Sequence, residues 1–146
     1  MAPKHQVDST LILKRVYDAP IELVWRAWTS EKELAKWYVA GFDHVVHFAE
    51  ADVRSGGTYR VSFGAPGKIP CVESGLYREV IPHQRLAFRE TVTMGGEQLH
   101  TAETVVEFRD LGGRTEVTLT TAGHESWRFA EGWVPALESL AKYLAR

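Results

Sequence analysis

The sequence predicts an α+β chain in which a curved antiparallel sheet wraps one long C-terminal helix, and two observations carry that expectation. From Glu131 to Leu144, Trp133, Leu137, Leu140 and Leu144 recur at i, i+4, i+7 and i+11, the apolar stripe of an amphipathic helix. Between residues 43 and 122 the chain instead reads as short alternating strands cut by glycine turns. A helix with one apolar face and a sheet with little else to cover it imply a container. At 146 residues, 45% of them hydrophobic and 11% aromatic, the chain can bury one full core, and residues 1–146 read as a single domain.

The elements follow in order. Ser9 to Tyr17 is a β-branched and aliphatic run of strand length, ended by Asp18-Ala19-Pro20, where proline suits the first turn of a helix. Ile21, Val24, Trp25 and Trp28 then keep helical spacing, and Ser30 with Glu33 has the pattern of a capping box that restarts a helix carrying Leu34, Trp37 and Tyr38. Beyond Gly41 six strands are expected, at 43–52, 57–63, 69–80, 85–93, 101–110 and 114–121. Gly95-Gly96 and Gly112-Gly113 are among the turns that make them a meander of hairpins. Pro135 lacks the N–H that a helix interior needs, so it kinks the terminal helix or marks its first turn, with the start falling between about residue 124 and 134.

Charge and motifs narrow the function classes. A formal net charge of -2 and a pI near 6.3 argue against nucleic acid as a partner. The lone Cys71 cannot form an internal disulfide, and no apolar run has signal-peptide or transmembrane length, so the expectation is a cytoplasmic protein without membrane insertion. Gly64-Ala65-Pro66-Gly67-Lys68 has Ser62 where a P-loop needs its first glycine and Ile69 where it needs Ser or Thr, so it reads as a hairpin turn. Ser74-Gly75 lacks the preceding glycine of a nucleophile elbow. His44 and His47, three apart, point to opposite faces of a regular strand, which makes a metal grip there depend on a bulge. No motif calls for a metal or another cofactor.

At this point the residues carry a resemblance. Tyr17-Asp18-Ala19-Pro20, Val24-Trp25-Arg26-Ala27-Trp28, Trp37, Asp52-Val53-Arg54-Ser55-Gly56-Gly57, Gly75, and Gly132-Trp133 with Leu137 and Leu140 stand in an order that resembles the START-like SRPBCC superfamily over nearly the whole chain. Within it the pattern is most similar to bacterial homologues of the C-terminal domain of the activator of the ninety-kilodalton heat-shock-protein ATPase. That resemblance implies a helix-grip fold, β-α-α-β6-α, with a cavity between the sheet and the last helix. It implies no single activity, since the superfamily includes lipid carriers, polyketide cyclases and co-chaperone domains.

Alternation names the inner face. Val106 and Phe108, then Val117 and Leu119, set a parity that also turns His100, Ala102, Thr104, Thr115 and Thr121 inward. Leu86, Phe88 and Val92 place Glu90 and Met94 on that face, and Tyr59, Val61 and Phe63 add a third row. Glu90 and His100 then lie on neighbouring strands and one face, as ligand contacts or as a structural pair in a closed core, unless bulges shift the register and turn both to solvent. Trp37, Trp127 and Phe129 fall near element ends, where a pocket rim would lie, while Trp133 belongs to the helix stripe.

Three function classes follow. The favoured one is a binding module for a small hydrophobic or aromatic ligand, contacted by Trp37, Tyr59, Phe63, Glu90, Met94, His100, Trp127, Phe129 and Trp133. The second is a cyclase- or isomerase-like enzyme in which Glu90 orients His100 for proton transfer. The third, resting on the resemblance alone, is a co-chaperone-like domain that contacts a heat-shock ATPase. A monomer and a homodimer are both compatible with the sequence.

Overall fold

The computed structural model describes residues 8–124 and 127–145. Strand β1 (Asp8–Tyr17) is followed by helices α1 (Ile21–Thr29) and α2 (Glu31–Trp37). Strands β2 (Val45–Ala51), β3 (Thr58–Gly64), β4 (Cys71–Ile81), β5 (Arg85–Met94), β6 (Glu97–Asp110) and β7 (Thr115–His124) precede helix α3 (Trp127–Leu144). All seven strands form one antiparallel sheet in the order β1-β7-β6-β5-β4-β3-β2, so only the β1–β7 pairing joins elements distant in sequence. This is the α+β helix-grip arrangement the sequence predicts. Most strand limits fall within two residues of expectation; β6 starts four residues earlier, at Glu97, because the Gly95-Gly96 turn continues its ladder to the tip. Both glycines have positive φ (59° and 83°), the condition for a tight two-residue hairpin.

The core lies between the concave face and the helices. Trp133, Ala136, Leu137 and Leu140 of α3 are buried, and Leu144 at the end of the same stripe is half-buried. From the sheet, Val61, Leu86, Val106, Val117 and Leu119 meet them with at most 1% of their surface exposed, which confirms the inward parity of β5, β6 and β7. The Tyr17 hydroxyl donates to the Leu137 carbonyl (3.0 Å) and ties α3 to β1. Pro135 lies inside α3 rather than at its start. Register shifts in β2 beside His47, in β4 beside Arg78 and in β6 beside Leu99 bend the sheet around the helix.

One local expectation is corrected. Ser30 does occupy the N-cap of α2, but its side chain makes no capping hydrogen bond. Glu33 turns outward instead, accepting from Arg26 Nε (2.6 Å) and from the Tyr143 hydroxyl (3.0 Å), a pairing that a charged partner strengthens beyond a lone backbone N–H.

Candidate functional site

A cavity of about 290 Å³ opens between the sheet and α3, at the end of the sheet where the β5–β6 hairpin turns. The segment after α2 (Tyr38, Val39, Ala40) and His44 form one wall; Phe63, Cys71, Glu73, Glu90, Val92, Leu99 and His100 form the floor; Gly132 and Trp133 of α3 close the top. Gly132 lets the helix approach closely, since a Cβ there would stand 3.1 Å from the Ala40 methyl. The Tyr38 and Trp133 rings meet edge to face at 5.8 Å, and the His44 imidazole stacks on Phe63 with centroids 5.8 Å apart.

Two carboxyl groups sit in this setting. Glu73 pairs across the ladder with Val92, and Glu90 with Gly75, so the two are diagonal neighbours on one face of β4 and β5. Glu73 is buried and accepts from the hydroxyls of Tyr38 (2.6 Å) and Tyr59 (2.5 Å), both at Oε2. Burial pushes its pKa up to about 7, while the two phenols stabilise the anion and limit the rise. Glu90 is fully buried, and neither of its oxygens has a hydrogen-bond partner of regular geometry. Burial raises its pKa well above the usual carboxylate range, and the neighbouring Glu73 charge adds to the rise. The Thr104 hydroxyl and the Trp133 indole N–H are near enough to oppose this in part, without closing regular hydrogen bonds. Thr104 is instead engaged with Thr121 at 2.9 Å.

An unpaired carboxyl in a dry site is costly, so it stays protonated or waits for a partner. The phenols of Tyr38 and Tyr59, raised by burial and by the Glu73 charge, remain neutral donors. Their reach depends on Gly75: a Cβ there would stand 1.8 Å from the Tyr59 ring, so the ring crosses β4 only over a glycine. Cys71 also borders the cavity; burial pushes its thiol pKa up, the opposite of an activated nucleophile. A depression of about 320 Å³ lies on the outer face, around Arg60, Ser74, Leu76 and Arg89, and no buried carboxyl borders it.

The structure brings Phe63, Glu90, His100 and Trp133 together at the cavity. Trp37 is elsewhere: fully buried, it donates Nε1–H to the Ala27 carbonyl (2.8 Å) and packs as core rather than rim. Tyr59 stands behind the cavity and acts on it through Glu73. Met94, opposite Cys71 at the open end of the sheet, lies beyond the cover of the helix and is 37% exposed. Trp127 and Phe129 belong to the first turn of α3, and their side chains lie outside the described residues. Glu73, Tyr38, Leu99 and His44 were not expected among the ligand contacts; the sequence offered His44 only as half of a metal grip and Tyr38 only as part of a helix. Leu99 reaches the cavity beside His100 because the β6 register shift falls between them and Gln98. The register shift at His47 offers the bulge that a two-histidine grip would need, yet among the described residues no group of three potential metal ligands is present.

Residues 18–145 match the profile of the activator of Hsp90 ATPase homolog 1-like proteins. The chain belongs to that family. Its members share the START-like SRPBCC fold, and solved structures agree. A protein of Rhizobium leguminosarum superposes with a TM-score of 0.83 at 22% identity, over 96% of each chain. A protein of Chromobacterium violaceum gives 0.74 at 26% identity, over 94% of this chain and 99% of its own. DynU16, a protein of the dynemicin biosynthetic locus, gives 0.72 at 20% identity, over 93% of this chain and 47% of its own. No match is found among curated proteins. Among the described residues, no helix is long and apolar enough to cross a membrane.

Proposed function

We propose that this family member binds a small hydrophobic or aromatic molecule in the cavity between its sheet and α3. One observation carries the reading: Tyr38, Phe63 and Trp133 border a space whose wall also includes Glu90, a buried carboxyl without a regular hydrogen-bond partner. Such a combination of apolar lining with a few polar groups is how proteins hold and orient small ligands. At about 290 Å³ the space lies at the small end of the usual ~300–1,000 Å³ range, which points to a one- or two-ring molecule. The location of DynU16 in a biosynthetic locus is consistent with small-molecule chemistry on this fold.

Naphthalenemethanol, a neutral two-ring probe, tests it. Calorimetric titration and native mass spectrometry should show one bound molecule, with a change in indole emission because Trp133 lines the site. Val92→Phe, which fills the floor, should abolish binding while the protein stays folded; equal binding by this variant would remove the cavity as the site.

Proton transfer is the second reading, favoured by Glu73. A carboxyl held near pH 7 beside another that stays protonated is the arrangement from which one group can take a proton and the other give one. Turnover lost in Glu73→Gln with ligand binding retained would establish it.

A further inference from the structure

Resting on the ligand-binding reading above, the charge pattern of the cavity narrows the ligand class. Among the described lining residues there is no lysine or arginine; the titratable groups are Glu73, Glu90, His44, His100, Cys71 and Tyr38. Among the described residues they arrive from several elements: Glu73 and Cys71 from β4, His100 from β6, His44 from the segment before β2, and Tyr38 from the end of α2, with the Tyr59 phenol of β3 behind Glu73. The charge that adds to the rise of the Glu90 pKa is that of another carboxylate, Glu73. An anionic ligand such as a fatty acid would place a second negative group beside the Glu73 carboxylate in this dry space. A cation would offset the Glu73 charge and the cost of ionising Glu90 at once. The rings of Trp133, Tyr38 and Phe63 border the same space and add a second preference of the same sign, because aromatic rings attract cations.

We propose that the cavity selects a small aromatic molecule bearing a protonated amine, with the ammonium group against Glu90 and Glu73 and the ring against the aromatic walls. The ammonium supplies the hydrogen-bond donors that the oxygens of Glu90 lack. Seating it requires Glu90 in its anionic form, so the proton that burial keeps on Glu90 leaves to solvent as the ligand enters. No bond to the ligand is made or broken; one proton passes from the carboxyl to buffer.

The test uses three probes of one shape and different charge: naphthylmethylamine, naphthalenemethanol and naphthoate, titrated by calorimetry in buffers of differing ionisation enthalpy. The amine is expected to bind on the order of tenfold tighter than the alcohol, and the naphthoate weakest. Proton release should accompany the amine alone, with its affinity rising by up to about tenfold per pH unit above neutrality until the amine itself deprotonates. In Glu90→Gln, an isosteric neutral change, the preference for the amine and the proton release should vanish while the alcohol still binds. Alcohol binding as tightly as amine, or naphthoate binding best, would overturn the inference and leave the ligand-binding reading standing. Failure of all three to bind would overturn both. Should Glu90→Gln fail to fold, the ranking of the three probes on the unaltered protein still decides the matter.

Discussion

At the end of the interior beneath α1, Trp28 and Trp37 pack edge to face 4.8 Å apart, and Trp28 also meets Phe108, while Leu86, Val106 and Leu140 fill the space between. At the other end, under the β5–β6 hairpin, the same inward rows deliver Glu73, Glu90 and His100 around an open space. Both ends are built by one alternation on shared strands. They differ in how far polar groups are satisfied. The packed end leaves only the Trp28 indole N–H without a partner among its described polar atoms, whereas the open end leaves both oxygens of a carboxyl. Close packing gives stability, and tolerated dissatisfaction gives a site that can respond to a ligand. The ends meet where Trp28 stacks on Trp133 and Trp37 packs against Tyr38, so experiments that act at one end should reach the other only through these ring contacts.

The largest effect is expected at the packed end. Trp37→Ala removes a fully buried ring and its hydrogen bond to Ala27, and should destabilise by roughly 3–5 kcal/mol in chemical denaturation. Naphthalenemethanol affinity, measured well below the new melting temperature, should change less than stability does, because Trp37 touches the cavity only through the Tyr38 ring. A large loss of affinity with small loss of stability would reverse the division between the two ends.

The open end should make stability depend on pH in the sense opposite to an ordinary salt-bridged carboxylate. Glu73 in the folded state holds its proton up to about pH 7, above its ordinary value of 4.5, so the folded state binds more protons than the unfolded state between those limits. Stability is then fullest below about pH 4.5 as far as this group is concerned, and is lost as pH rises through 7. Over that window the loss from Glu73 alone should reach roughly 3 kcal/mol, at ~1.4 kcal/mol per pH unit. Glu73→Gln should flatten the fall in melting temperature, and an unchanged slope would show that the carboxyl does not titrate there.

How legible the two ends were in the sequence follows the same division. Leu86 and Phe88, or Val117 and Leu119, alternate cleanly with polar neighbours, so the parity that identifies the packed end also placed Glu90 and His100 inside. Strand β4 hides its phase: its inward residues are Cys71, Glu73, Gly75 and Tyr77, and its outward ones include Val72 and Leu76. Hydrophobic periodicity has no purchase on such a row, and Glu73 stayed out of view. Gly75 was the available signal, since an inward glycine in mid-strand marks a close approach, here by Tyr59. Tyr38 and His44 belong to the irregular segment between α2 and β2, whose path is set by tertiary packing rather than by any period. The positions of Trp37 and Met94 depended on where the helix cover ends, a property of the assembled layers and not of either element.

The smallest effect should come from the convex face, which lies outside both ends. There Glu103 accepts from Arg78 Nε (2.9 Å) and from Arg89 Nη1 (3.1 Å), with side chains 46–50% exposed. The two guanidinium groups, led by the hydrogen bonds from Arg78, hold its carboxyl below the usual range, so this carboxylate shifts in the opposite direction to Glu73 and Glu90. Being exposed, the pairing is screened by water and salt, and Glu103→Gln should cost less than about 1 kcal/mol, shrinking further as ionic strength rises. Its effect on the affinity for naphthylmethylamine separates two origins of cation preference. If the buried carboxyls act locally, loss of this outer charge leaves amine binding as it was at every salt concentration. If amine binding weakens in Glu103→Gln and also falls with added salt, the attraction comes from the overall field of the protein, and the preference no longer belongs to Glu90 and Glu73.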